Sequence, residues 1–127
     1  MTTADDPRPP VAVGHVRMEV NDLGPACDLL ERLGLRRVAR RKDFAVLELR
    51  GGTHLVVRAT DKPIEPGTPA PLDLMVDDVR AMHARCREMG LAPGKITAGS
   101  IHSSFEVPGP DGYRIKITSS HTGGRPV

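Results

Sequence analysis

The stretch that decides the fold reads GHVRMEVNDL and occupies residues 14–23. Apolar residues at every second position from Val16 to Val20 alternate with polar ones, so they point to one face of a predicted strand. Asn21 and Asp22 follow, and residues of these types commonly cap the first turn of a helix. The stretch therefore predicts a half-buried strand that runs directly into a helix.

The same pattern returns downstream as LDLMVDDV at residues 72–79. Residues 20–23 correspond to 76–79, and the correspondence continues, because Leu33-Gly34-Leu35 aligns with Met89-Gly90-Leu91. The chain is therefore a tandem repeat of one unit. A single unit would leave its sheet half-covered, whereas two units together can bury a shared core.

Each unit reads as a strand, a helix and three further strands. The elements predicted in the first unit are a strand at 11–20, a helix at 25–33 and strands at 36–41, 44–50 and 53–59. Those predicted in the second unit are a strand at 72–76, a helix at 78–89 and strands at 95–97, 100–107 and 113–119. The predicted fold class is α+β: two tandem βαβββ modules form a curved eight-stranded mixed sheet, with a concave pocket on one face and the helices on the outer face.

The predicted domain covers residues 11–121, between a disordered arm at 1–10 and a loose tail at 122–127. Its first module spans 11–60 and its second spans 72–121. A proline-rich linker without periodicity joins them at 61–71.

The chain has 127 residues, a formal net charge of +2 and only three aromatic residues, two Phe and one Tyr. So few rings disfavour nucleic-acid binding by base stacking, and so small a charge implies no polyanionic partner. The sequence has no signal-peptide pattern and no apolar run long enough to cross a bilayer, which predicts a cytoplasmic protein without a membrane partner. Cys27 and Cys86 are expected to be reduced, buried thiols on the two helices.

A third motif, PDGYRIKI at residues 110–117, forms the turn and last strand of the second unit. Together with the segments at 14–23 and 72–79, it resembles the vicinal oxygen chelate superfamily. That group includes glyoxalase I, bleomycin-resistance proteins, fosfomycin-resistance enzymes and extradiol dioxygenases. The resemblance covers residues 11–119 and implies the paired-module fold, a small-molecule ligand or substrate, and a homodimer.

In metal-dependent members of that superfamily, a divalent ion in the trough polarises two neighbouring oxygens of the substrate. Its ligands come from the first and last strands of each module. The resemblance places these four positions at His15, Val56, Pro71 and Lys116. Only the first of them carries a ligating side chain, and a cation at Lys116 would repel a metal ion. The resemblance therefore implies that the standard four-ligand site is absent.

Alternation along the predicted strands places polar side chains on the trough face. His15 and His102 are the candidates for acid–base catalysis. The candidates for binding a ligand are Arg17, Glu48, Arg50, His54, Arg58, Asp73, Ser104, Arg114 and Lys116. A rearranged site made of His15, His54 and Glu48 would supply two nitrogens and an oxygen to Zn, Ni, Mn or Fe. The interleaved charges also have a purely structural interpretation, as ion pairs between strands.

Two functions stay open at this point. The first is binding of a small polar or anionic molecule in the trough without the standard metal site, as in the bleomycin-resistance branch. The alternative is a metal-dependent lyase or dioxygenase that uses the rearranged site around His15 and His54. Loss of three ligand positions favours the first function, whereas the clustered histidines and the scarcity of aromatic residues favour the second. A scaffold or regulatory role has no positive support.

Overall fold

The computed structural model describes residues 5–120 and 123–126. Within them the chain forms eight strands and two α-helices. In chain order these are β1 (His15–Val20), α1 (Leu23–Arg32), β2 (Arg36–Arg40), β3 (Phe44–Glu48), β4 (His54–Ala59), β5 (Leu74–Val76), α2 (Val79–Glu88), β6 (Thr97–Ala98), β7 (Ser103–Pro108) and β8 (Arg114–Ser119). Short 3-10 turns at Arg50–Gly52 and Pro110–Gly112 precede the last strand of each module. The predicted α+β fold with two βαβββ modules is confirmed.

The strands pair within their own module, in the orders β1-β4-β3-β2 and β5-β8-β7-β6. The first strand of each module is parallel to the last, and the other neighbours are antiparallel. The eight predicted strands thus form two mixed sheets of four. Both first strands lie at an edge of their sheet, where the modules can meet.

The helices cover one face of the sheets and build the core. Along β1, Met18 and Val20 are buried while Arg17 and Glu19 are exposed, as the alternation predicts. Both cysteines are free and fully buried on the helices, and burial raises the pKa of each thiol. The predicted pair of buried thiols is therefore confirmed. The face of each sheet opposite the helices is called the open face below.

Several element boundaries differ from the predicted ones. β1 begins at His15 rather than at residue 11, because its partner β4 begins at His54 and the two residues are in register. Arg50, predicted as the end of β3, lies in the following turn, because Gly51 and Gly52 adopt φ angles of +83° and +88°. This moves Arg50 off the open face.

The predicted cap of the first helix is wrong in detail. Asp22 occupies the N-cap position of α1 but accepts no capping bond through its side chain. The side chain of Asn21 instead donates to two carbonyl groups of the segment after β4. The equivalent aspartate of the second repeat, Asp78, does cap its helix, accepting from the amide of Ala81 at 3.0 Å.

The segment predicted as a linker, 61–71, is bonded to the last strand of the chain. The backbone amides of Gly67 and Ala70 donate to the carbonyl groups of Gly112 and Arg114, at 2.7 and 2.9 Å. The terminal segments at 1–10 and 122–127 fall partly outside the described residues, so their predicted disorder and the domain boundaries stay predictions. Neither helix of the described chain has the length and apolar character that crossing a membrane requires.

The residue that follows the first strand of each module is held by the last turn of the other module. After β1, the backbone amide of Asn21 donates to Asp111 Oδ2 at 2.7 Å. After β5, the carboxylate of Asp77 accepts two hydrogen bonds of 3.0 Å from Arg50. Since Asn21 and Asp77 are equivalent positions of the repeat, the two modules hold each other reciprocally. We call these contacts the intermodule bonds.

A buried tyrosine strengthens the connection. The hydroxyl of Tyr113, the residue after the second turn, donates to the carbonyl of Glu19 on β1 at 2.8 Å. Burial raises the pKa of this hydroxyl, so it stays protonated and able to donate at neutral pH. A third connection runs between the helices, where the guanidinium of Arg32 donates to the carbonyl of Met89.

Asp111 contributes to stability in two ways, through the hydrogen bond that its carboxylate accepts and through its positive φ angle. Substitutions at this position distinguish the two contributions. Its φ angle is +53°, in the left-handed region that Asn and Gly tolerate. We expect Asp111→Asn to retain most of the stability, Asp111→Gly to lose the bond to Asn21, and Asp111→Ala to lose the bond and add strain, about 1–3 kcal/mol in all. Urea denaturation measures these free energies of unfolding. Equal stability of the Asn and Ala variants would contradict the role given to the turn.

Candidate functional site

Four polar side chains form a row across the open face of the first sheet. The strand register places His15 beside His54, His54 beside Glu48, and Glu48 beside Arg36. The two histidine rings have centroids 6.1 Å apart, and His54 Nε2 lies 3.3 Å from Glu48 Oε2. Arg36 donates to the other oxygen of the same carboxylate. The three residues proposed for a rearranged metal site thus lie next to one another, in what we call the histidine row.

The row does not have the geometry of a metal centre. Within residues 5–120 and 123–126, no group of three or more His, Cys, Asp or Glu side chains is arranged to hold a metal ion. The carboxylate of Glu48 is already paired with Arg36. Of the standard positions of the superfamily, Val56 and Lys116 lack ligating carboxylate or imidazole groups, and Lys116 is in register with Glu106. These residues do not fit the divalent ion that the resemblance implies for metal-dependent members.

His102, the second candidate for acid–base catalysis, lies apart from the histidine row. It precedes β7 instead of belonging to it, and its carbonyl accepts from the amide of Gly99 at 2.8 Å. β7 is separated from the β5 edge by β8, and the row belongs to the other sheet. The two predicted catalytic histidines therefore belong to different modules.

Several of the predicted binding residues have partners on the open faces. The guanidinium of Arg58 lies over the Phe44 ring, 5.6 Å from its centroid. Arg114 Nε donates to Glu106 Oε2 at 2.9 Å. These contacts agree with the structural interpretation of the interleaved charges. The remaining predicted residues on open faces are Arg17 on β1, Ser104 on β7 and Lys116 on β8.

A cavity of about 480 Å³ lies between the modules. We call it the intermodule cavity. The residues of the first module that line it are Val13, Val16, Leu49, Arg50, Gly51 and Thr53. Those of the second module are Leu72, Asp73 and Met75. Its volume and its apolar lining with a few polar groups are typical of small-molecule sites.

The sequence builds this cavity from the edges of the two sheets and one turn. Val16 and Leu72 are equivalent positions of the repeat, and both are half-buried. Val16 lies on the edge strand β1, and Leu72 lies two residues before the edge strand β5. The hydroxyl of Thr53 donates to the carbonyl of Val13 at 2.7 Å, and the carbonyl of Thr53 accepts from the amide of Leu49 at 2.8 Å. These bonds fix the turn that forms one wall.

Sequence reasoning missed most of this lining. It assigned Val16 and Leu72 to the face under the helices, as core residues. The signal that could have found them is the repeat itself, because it gives both of them the same position at the start of their modules. Of the residues predicted to bind a ligand, the cavity is lined by Arg50 and Asp73.

The two charged residues that line the cavity differ in whether they form an ion pair. Arg50 is held by Asp77 through two hydrogen bonds, which lower the pKa of the carboxyl and raise the pKa of the guanidinium, so both stay ionised. Asp73 is exposed and forms no salt bridge within the described part of the chain. The wall therefore carries one compensated cation and one carboxylate without a cationic partner.

The pKa of Asp77 tests the bond between Arg50 and the second module. We expect the folded protein to show this pKa below the ordinary value of 3.8, and Arg50→Gln to return it to that value. The ion pair then stabilises the folded state fully at pH values above the ordinary pKa of 3.8. This stabilisation is lost as the pH falls through the lowered pKa of the folded protein. Carboxyl carbon NMR titration measures it, with the exposed Asp61 as internal control. An unchanged pKa in the variant would contradict the pairing.

Comparisons with known proteins support the fold. No protein-family model matches the sequence, and no curated protein gives a significant sequence match. Among solved structures, lactoylglutathione lyase from Agrobacterium tumefaciens is similar with a TM-score of 0.74 at 15% identity, over 92% of this chain and 99% of that one. An antibiotic-binding protein from a Streptomyces species is similar with a TM-score of 0.74 at 25% identity, over 86% of this chain and 95% of that one. A glyoxalase/bleomycin-resistance/dioxygenase protein from Alicyclobacillus acidocaldarius is similar with a TM-score of 0.71 at 20% identity, over 91% of this chain and 96% of that one.

These matches cover nearly the whole of each solved chain. The resemblance to the vicinal oxygen chelate superfamily is confirmed for the fold. The similar proteins include a lyase and a binding protein, so one fold carries both kinds of function.

Proposed function

We propose that this protein binds a small molecule with an apolar body in the intermodule cavity. The observation that carries the proposal is a cavity of about 480 Å³ whose apolar walls come from both modules. Ligand pockets of proteins commonly have volumes of about 300–1,000 Å³ and apolar walls with a few polar groups that orient the ligand. Arg50, Asp73 and Thr53 are the polar side chains of this wall.

Apolar side chains at the cavity remain in contact with water. Val13 is 61% exposed and Met75 is 46% exposed, and both line the cavity. Covering apolar surface releases about 25 cal/mol for each Å² removed from water. An apolar ligand therefore gains free energy from surface that the chain itself leaves uncovered.

The similar structures support binding as a function of this fold. One of them is described as an antibiotic-binding protein, which shows that the fold serves as a binding protein as well as an enzyme. The open faces offer less to a polar or anionic ligand than the sequence suggested. Two of their arginines, Arg58 and Arg114, already contact Phe44 and Glu106, which leaves Arg17 and Lys116 as the predicted cations there. The homodimer and the cytoplasmic location stay predictions.

Filling the cavity tests the proposal. We expect wild-type protein to bind the neutral fluorescent probe N-phenyl-1-naphthylamine, and Val16→Phe to weaken binding about tenfold by occupying the space. The matched control is Val38→Phe, the same change at an exposed position of β2 away from the cavity. Fluorescence titration gives the dissociation constants, and thermal unfolding checks that both variants fold. Equal affinity of the two variants would contradict the proposed site.

The histidine row supports a second candidate function. His54 lies 3.3 Å from Glu48 and beside His15, so the open face holds an imidazole oriented by a carboxylate. Acid–base chemistry of the lyase kind would use these groups as they stand. The metal-assisted lyase or dioxygenase form would require the side chains of the row to rearrange around the ion. Calorimetric titration with Ni²⁺, Zn²⁺, Mn²⁺ and Fe²⁺ tests the metal-assisted form. Stoichiometric binding that His15→Ala and His54→Ala both abolish would favour it, and absence of binding would remove it.

A further inference from the structure

We infer that the ligand of the intermodule cavity is an organic cation, with an amine or similar group beside its apolar body. The inference rests on the proposed function, because it concerns the same cavity. It differs from the polar or anionic ligand that the sequence suggested. The charges of the cavity wall carry it.

The positive charge of the wall is already engaged. Both terminal nitrogens of Arg50 donate to the two oxygens of Asp77, each at 3.0 Å. Such a two-pronged pair uses the geometry with which arginine binds carboxylates and phosphates. An anionic ligand would therefore have to compete with Asp77 for the same guanidinium.

The negative charge of the wall has no cationic partner among the described residues. Asp73 lines the cavity and forms no salt bridge there. Counting Arg50 and Asp77 as a neutral pair leaves this single carboxylate as the net charge at the cavity. An ammonium group would be attracted to it, and a ligand carboxylate would be repelled.

The position of Asp73 favours simultaneous contact with a charge and an apolar body. Leu72, the residue before it, and Met75, two residues after it, line the same cavity. The equivalent residue of the first repeat, Arg17, lies on the open face of β1 and is outside the lining. The two modules thus contribute similar apolar walls, while only the second contributes an uncompensated charge to the cavity.

Three indoles of nearly equal shape test the charge of the ligand: tryptamine is a cation, 3-ethylindole is neutral and indole-3-propionate is an anion at neutral pH. The protein contains no tryptophan, so indole fluorescence comes from the probe. We expect tryptamine to bind about three- to fivefold more tightly than 3-ethylindole, and indole-3-propionate to bind most weakly. Added salt should reduce these differences, because the carboxylate is exposed.

Variants of Asp73 test whether this residue causes the preference for the cationic probe. Asp73→Asn keeps the shape of the side chain and should make the affinities of that variant for tryptamine and for 3-ethylindole equal. Asp73→Lys should reverse the order of the two charged probes. Asp61→Asn, at an exposed aspartate outside the cavity lining, is the control and should keep the order of the wild-type protein.

The outcomes separate this inference from the proposed function. Equal binding of all three indoles, tighter binding of indole-3-propionate, or an unchanged preference in Asp73→Asn would overturn the inference and leave the cavity as a binding site. Failure of the neutral 3-ethylindole and of N-phenyl-1-naphthylamine to bind the wild-type protein would overturn the proposed function as well.

Discussion

The reciprocal bonds between the last turn of one module and the first strand of the other fix how the two modules face each other across their shared core. Asp111 accepts from the amide after β1, and Arg50 donates to the carboxylate after β5. Buried residues of both modules form one hydrophobic core. Between the two sheets, beside the edge strands β1 and β5 and the first turn, lies the intermodule cavity.

The two halves share a backbone plan but differ in chemistry. Gly51 and Asp111 occupy equivalent places in the two turns and both have positive φ angles, yet only Asp111 can bond through its side chain. Arg50 supplies the corresponding bond in the first turn, and it also lines the cavity. A single residue thus connects the modules and forms part of the candidate site, so cavity shape and module contact depend on each other. A lyase and an antibiotic-binding protein share this fold, so the fold alone does not decide the function.

Most of the fold could be predicted from the sequence, because its signals are local. Period-two alternation along β1 and the echo at residues 72–79 specify strand, helix and repeat without knowledge of distant contacts. The candidate site could not be predicted in this way. Its walls come from two edge strands, the segments just before them and one turn. The partner of Arg50 is Asp77, which belongs to the other module. Alternation places a side chain on a face but does not say which charges will already be paired there.

The most direct test of the account is to locate a bound neutral probe by methyl NMR. The chain would be labelled at its Val, Leu and Met methyl groups and titrated with N-phenyl-1-naphthylamine. We expect the cavity methyls of both modules to shift together, namely those of Val13, Val16, Leu49, Leu72 and Met75. Shifts confined to Val46 and Val56, on the open face of the first sheet, would contradict it and would move the ligand to the histidine row.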